Sequence, residues 1–105
     1  MGSYLLVESR SDQESPDVTA LFDLGTRLRA EGNEVAVFLV QNAVLAMHDE
    51  TVHDLVANGV RVWADRYSIL ARGLDPEAHP AGVSLGGADD LVDLLMADGT
   101  TPVWH

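Results

Sequence analysis

The sequence predicts an α/β domain of three layers, a parallel sheet of about five strands between helices. Three observations predict it. Short apolar runs alternate with segments of helical periodicity along the whole chain, the pattern of repeated strand–helix–strand units. The runs are almost continuously apolar, which suits strands buried on both faces. The chain also has 105 residues, 47% of them hydrophobic, which is one domain with enough apolar material for its own core.

The elements follow in order. Tyr4 to Glu8, YLLVE, reads as the first strand. Ser9 to Ser15 is polar and loop-like. Ser15-Pro16-Asp17 opens a helix, with Ser as N-cap, Pro at the first helical position and Asp in the first turn. Val18, Leu21, Phe22 and Leu28 then share one apolar face, and Gly32 ends the helix. Glu34 to Gln41, EVAVFLVQ, is the clearest strand, by its β-branched and aromatic content. Asn42 to Met47 fits either a short helical turn or a loop packed on the sheet. Asp49 can cap the next helix, whose inward face carries Val52, Leu55 and Val56 before Asn58-Gly59 stops it.

Val60 to Ala64 is the third strand. It runs into a polar turn at Asp65 and a short helix from Arg66 that stops at Gly73. Leu74 to Gly87 holds Pro76, Pro80, Gly82, Gly86 and Gly87, so it reads as a loop, with room for a very short edge strand near Val83. Asp89 to Asp98 is a helix whose acidic first turn suits the helix dipole. Thr101 to His105 is a final strand.

Composition narrows the function. The net charge is −11, from 17 acidic and 6 basic residues. Such a surface repels nucleic acid and anionic membranes, so neither is expected as a partner. No apolar run approaches the ~20 residues of a membrane span, and no signal-peptide pattern opens the chain, so the expected location is cytoplasmic. There is no cysteine, which removes disulfides, thiolate metal sites and thiol catalysis. The loop after the first strand, ESRSDQES, has no glycine to admit a pyrophosphate, and the chain has no lysine. No cofactor is expected.

The remaining signals have ordinary explanations beside functional ones. His48 and His53 lie five apart, off a common helical face, so His48, His53, His79 and His105 are read as surface or helix-end residues and no metal site is expected. Asp89, Asp90 and Asp93 suit a helix start. Trp63 and Trp104 suit a core or a subunit interface, with ligand stacking as the alternative. The best site candidates lie where strands end, because the carboxyl ends of parallel strands open into a crevice. They are Gln41 and Asn42 after the second strand, and Asp65, Tyr67, Ser68 and Arg72 after the third. Asp65 could accept hydrogen bonds, act as a base or pair with an arginine. Equally, it could cap the short helix while Arg72 pairs with a neighbour.

Three segments carry a family resemblance: FLVQNAV at 38–44, GVRVWADRYSILARG at 59–73, and the last helix and strand from Asp89 to His105. In their order and spacing they resemble the DsrE/DsrF-like family of small sulfur-relay proteins. The resemblance implies a sheet in the order 4-3-2-1-5, with Val83 in the short fourth strand. It also implies homo-oligomers, trimers or hexamers, or mixed complexes of related subunits. Active members carry a persulfide on a cysteine after the third strand, and Asp65 stands at that position here. A carboxylate cannot form a persulfide, which needs a thiolate. The expected function is therefore a DsrE-like protein without sulfur-transfer chemistry of its own, serving as an oligomeric subunit or as a ligand- or partner-binding protein. The alternative is an enzyme of different chemistry that uses Asp65 as acid or base, with Ser68 or Arg72 orienting a substrate. A third possibility is a structural or regulatory interaction module that binds no ligand.

Overall fold

The computed structural model describes residues 1–105. All five strands form close to their expected spans: β1 (Ser3–Glu8), β2 (Glu34–Leu39), β3 (Arg61–Asp65), β4 (Val83–Gly86) and β5 (Thr100–Trp104). The helices are α1 (Asp17–Ala30), α2 (Glu50–Ala57), α3 (Arg66–Ala71) and α4 (Ala88–Met96). The ambiguous stretch after β2 is a 3-10 turn over Gln41–Ala46, and a shorter one spans Pro76–Ala78. All pairings are parallel, and the sheet order is β4-β3-β2-β1-β5.

Local chemistry sets the boundaries. Ser15 Oγ accepts the Asp17 amide at 3.2 Å at the start of α1. At its end the Asn33 amide reaches Leu28 O at 3.1 Å, closing the helix around Gly32. The same closure ends α3, where the Leu74 amide reaches Ile69 O at 3.1 Å beyond Gly73. At α4 the Asp90 carboxylate accepts the Gly87 amide at 2.9 Å. Asp49 is the exception: it stands at the N-cap position of α2, but its side chain makes no capping bond.

Strand alternation divides the core in two. Leu6, Val35, Val37, Leu39, Val62 and Ala64 point to one face, where α1, α2, α3 and the 3-10 turn cover them in a cluster of 18 buried residues. Leu5, Val7, Ala36 and Phe38 point to the other, and these 4 are the whole buried cluster there. Only α4 covers that second face, through Leu91, Leu94 and Leu95, and none of its residues is buried. Phe38 and Trp63 stack on neighbouring strands with ring centroids 6.0 Å apart and planes within 3°. Beyond them the face is open: Val92 is 53% exposed, Trp104 59% and Met96 76%. No helix is long and apolar enough to cross a membrane.

The segment leading into β4 is held against α2 at Gly82. Its φ is +87°, and a Cβ there would lie 2.5 Å from Val56 Cγ1. Gly82→Ala should therefore lose about 1–3 kcal/mol of stability from overpacking and backbone strain together. Gly99 has φ +77° with nothing within 4 Å, so Gly99→Ala carries the strain alone and should lose less. Urea denaturation of the two variants measures the difference.

Candidate functional site

Gln41 begins the site. The Val40 amide makes the last sheet bond, to Glu8 O at 2.9 Å. The chain must then leave the sheet end sharply, and Gln41 does so at φ 52°, the one non-glycine residue with positive φ. A side chain in that region costs roughly 1–2 kcal/mol. Its amide is held by Ser68 Oγ at 2.8 Å.

Ser68 lies on α3 and is buried at 4% exposure. Its hydroxyl accepts from Gln41 and donates to Asp65 Oδ2 at 2.5 Å, and its amide donates to the same oxygen at 2.9 Å. Asp65 is thus the N-cap of α3, with one carboxylate oxygen carrying both bonds. Arg72 closes the group from the end of the helix. Its Nε and Nη2 donate to Asn42 Oδ1 at 2.9 and 2.8 Å, and its Nη1 donates to Ser68 O at 3.1 Å. Glu14, on the loop after β1, reaches the same place. The Ser11 amide, and then the Asn42 side chain, hold its carboxyl below the usual range.

Five of the six candidates from the sequence therefore form one hydrogen-bonded network: Gln41, Asn42, Asp65, Ser68 and Arg72. Tyr67 stands apart from it and is 78% exposed. Arg72 pairs with an amide oxygen and a carbonyl rather than with a carboxylate. Chemically the network is a rigid polar rim at the ends of β2 and β3. It offers hydrogen bonds and one guanidinium charge, and no thiol.

A second polar group lies at the ends of β1 and β5. Glu8 is fully buried, and His105 Nδ1 sits 2.7 and 2.9 Å from its two carboxylate oxygens. The Arg10 amide also donates to Glu8 Oε2, at 2.9 Å. His105 Nε2 lies 4.0 Å from Asp17 Oδ2 on α1. Sequence reasoning took Glu8 as a strand residue and His105 as a surface one. The available signal was that each ends an apolar strand, and the implied order sets β1 beside β5.

A groove of about 300 Å³ runs between α2 and the segment before β4. Met47, Val52, Val56 and Val83 line it, with His48, Asp49 and His53 at its polar end. Burial pushes the Asp49 carboxyl up, the charge of Asp12 adds to this, and His48 opposes it. No three histidine, aspartate or glutamate side chains converge closely enough to hold a metal ion.

Comparison with known proteins places this geometry. The DsrE/DsrF-like family profile matches residues 2–99. The fold superposes on the ychN protein of E. coli with a TM-score of 0.88 at 18% identity, over 100% of both chains. MTH1491 of Methanobacterium thermoautotrophicum, a protein of unknown function, gives 0.83 at 19% identity, also over 100% of both. BT1422 of Bacteroides thetaiotaomicron, a conserved protein of unknown function, gives 0.73 at 14%, over 97% of this chain and 94% of its own. No protein with a curated description matches the chain.

Two stability measurements check the site. Asp65→Ala removes a cap and should cost about 0.5–2 kcal/mol. Ser68→Ala strands the Gln41 amide where its backbone is already strained, and should cost about 1–3 kcal/mol by urea denaturation. Asp49 has the opposite sign. Its carboxyl is raised in the fold, so the neutral form is favoured at low pH and the advantage is lost as pH rises through the folded value. Asp49→Asn should thus stabilise the protein at pH 7, with the gain vanishing in acid, as a thermal-melt series over pH would register.

Proposed function

This chain belongs to the DsrE/DsrF-like family, and we propose that it serves there as a non-catalytic oligomeric subunit that binds a partner or a small ligand. The observation that carries the reading is the position after β3. Where the resemblance implies a persulfide-bearing cysteine, Asp65 spends Oδ2 on capping α3, and the chain has no cysteine elsewhere. Sulfur carriage needs a thiolate, so any sulfur chemistry around this subunit belongs to another chain.

The thin second face supports the oligomeric part. Trp104, Val92 and Met96 expose apolar surface around α4. Lasting contacts bury roughly 800 Å² on each partner, with aromatic and methionine side chains at their centres. The hydrogen-bonded rim at Gln41, Asn42, Ser68 and Arg72 supports a binding role, because it is fixed before any ligand arrives. The capping geometry engages Asp65 through Oδ2, which accepts both the Ser68 amide and the Ser68 hydroxyl, and ties its orientation to the helix.

Native mass spectrometry of the protein recovered from its own cells tests the proposal. The expected result is an oligomer, either of this chain alone or with a cysteine-bearing relative. A retained small mass that Arg72→Ala abolishes would place ligand binding at the rim. A bare monomer at micromolar concentration would refute the oligomeric reading.

A further inference from the structure

The largest cavity shares no residue with the rim at Gln41, Asn42, Ser68 and Arg72. It is the groove between α2 and the segment before β4, about 300 Å³ in volume, at the lower end of the range for small-molecule sites. Its floor belongs to the core. Met47, Val52 and Val83 line it, and each is exposed by 3% or less, so close packing beneath holds them in place. Its wall on the β4 side is Pro80 and Ala81, in a turn closed by the Val83 amide on Pro80 O at 3.2 Å. Gly82 lets that wall stand close to Val56, which any side chain at 82 would strike. The groove is therefore formed before any ligand arrives, and ordering it costs a ligand little.

One end of the groove is polar, with His48, Asp49, Glu50 and His53. Asp49 is the group left unmet there. It stands at the N-cap position of α2 but caps nothing, and no arginine or histidine pairs with it. Burial strips water from its carboxylate, the charge of Asp12 adds repulsion, and only His48 opposes them. Its charge thus works against the fold. Ionisable groups held against stability at the mouth of a cleft are what binding sites are made of. The start of α2 contributes about half a positive charge. Asp12, Asp49 and Glu50 bring three carboxylates to the same end, so the local field is negative and draws cations. An apolar floor that ends in such a field fits an amphipathic cation.

We propose that this groove binds a small primary amine with an apolar body, whose carbons lie on Met47, Val52, Val56 and Val83 and whose ammonium group meets the Asp49 carboxylate. An ammonium group has three protons to donate. His53, one helical turn beyond Asp49, and His48 line the same end and offer ring nitrogens to the others. A carboxylate or phosphate ligand is disfavoured by the same field. The site is one of binding alone, and no bond of the ligand is made or broken in it.

The test titrates the full chain, labelled with carbon-13 and nitrogen-15, with hexylamine, hexan-1-ol and hexanoate at neutral pH and about 0.15 M salt. The three probes share one apolar chain and differ in the charge of the head, the amine being a cation as a lysine side chain is. Hexylamine should shift the methyl signals of Val52, Val56 and Val83. It should bind about tenfold more tightly than hexan-1-ol, the worth of one charge-assisted hydrogen bond, with hexanoate weakest. Asp49→Asn should erase that preference and leave hexan-1-ol binding as it was. That variant removes a charge the fold does not favour, so its folding is not at risk. Ala81→Leu, which narrows the groove, should weaken hexylamine and hexan-1-ol alike. Equal affinity for amine and alcohol overturns the proposal, as does a preference for hexanoate or an amine affinity that Asp49→Asn leaves unchanged. Hexylamine shifts scattered over the surface instead of gathered at the groove overturn it too, since a net charge of −11 draws any cation.

Discussion

A parallel sheet has to be covered on both sides, because its strands are apolar on both, and this chain covers the two sides unequally. Three helices and a 3-10 turn seal one face. The other has α4 alone. The asymmetry follows from connectivity. The crossovers through α1 and α2, and α3 with the segment after it, all precede the reversal at β1 and lie on one side. Only the return from β4 to β5 supplies a helix to the other. Much of what is distinctive in the molecule sits on that economy: the exposed tryptophan and methionine, and the helix with no buried residue.

The junction after β3 shows how a helix start uses a negative charge. A residue there stands at the start of α3, where unpaired amides and the helix dipole favour negative charge. For a cysteine the same field favours the thiolate. For Asp65 it favours a cap, and the Ser68 amide and hydroxyl both converge on one oxygen. The scaffold that would sharpen a nucleophile here serves to fix a turn. Through Ser68 that turn also secures the strained exit at Gln41, and through Arg72 it secures Asn42.

Much of this was legible in the sequence. The strands could be read because their apolar runs are continuous, and their ends drift by only a residue or two because Gly, Pro and polar residues punctuate them. The residues singled out after β2 and β3 meet in one hydrogen-bonded network because the carboxyl ends of adjacent parallel strands lie side by side. Tyr67 neighbours the cap in sequence, but α3 turns it outward into solvent, apart from that network. The Asn42–Met47 stretch could not be settled locally, since its 3-10 geometry depends on Gln41 being caught by Ser68 from 27 residues away. The Glu8–His105 pair lay furthest from view. Its partners are 97 residues apart, and neither residue type is unusual where it stands. Only the adjacency of β1 and β5, with Leu6 beside Val103 and Val7 beside Trp104, brings them together.

The acidic surface and the thin face pull against each other. Each copy carries a net charge of −11, so bringing copies together is opposed at long range. Screening limits that opposition to about 8 Å at physiological salt, and what remains is set by the carboxylates nearest the contact. On α4 the exposed Val92 and Met96 lie among Asp89, Asp90 and Asp93. Asp90 is engaged in its cap, while Asp89 and Asp93 are exposed beside the apolar patch. A partner that covers Val92, Met96 and Trp104 must therefore either leave those carboxylates in water at the rim or bring a base to meet them. A copy of this chain has no lysine and only six arginines to bring. Self-assembly through this face thus calls for rim-placed carboxylates and a contact centred on Trp104, whereas a more basic relative could use α4 along its whole length.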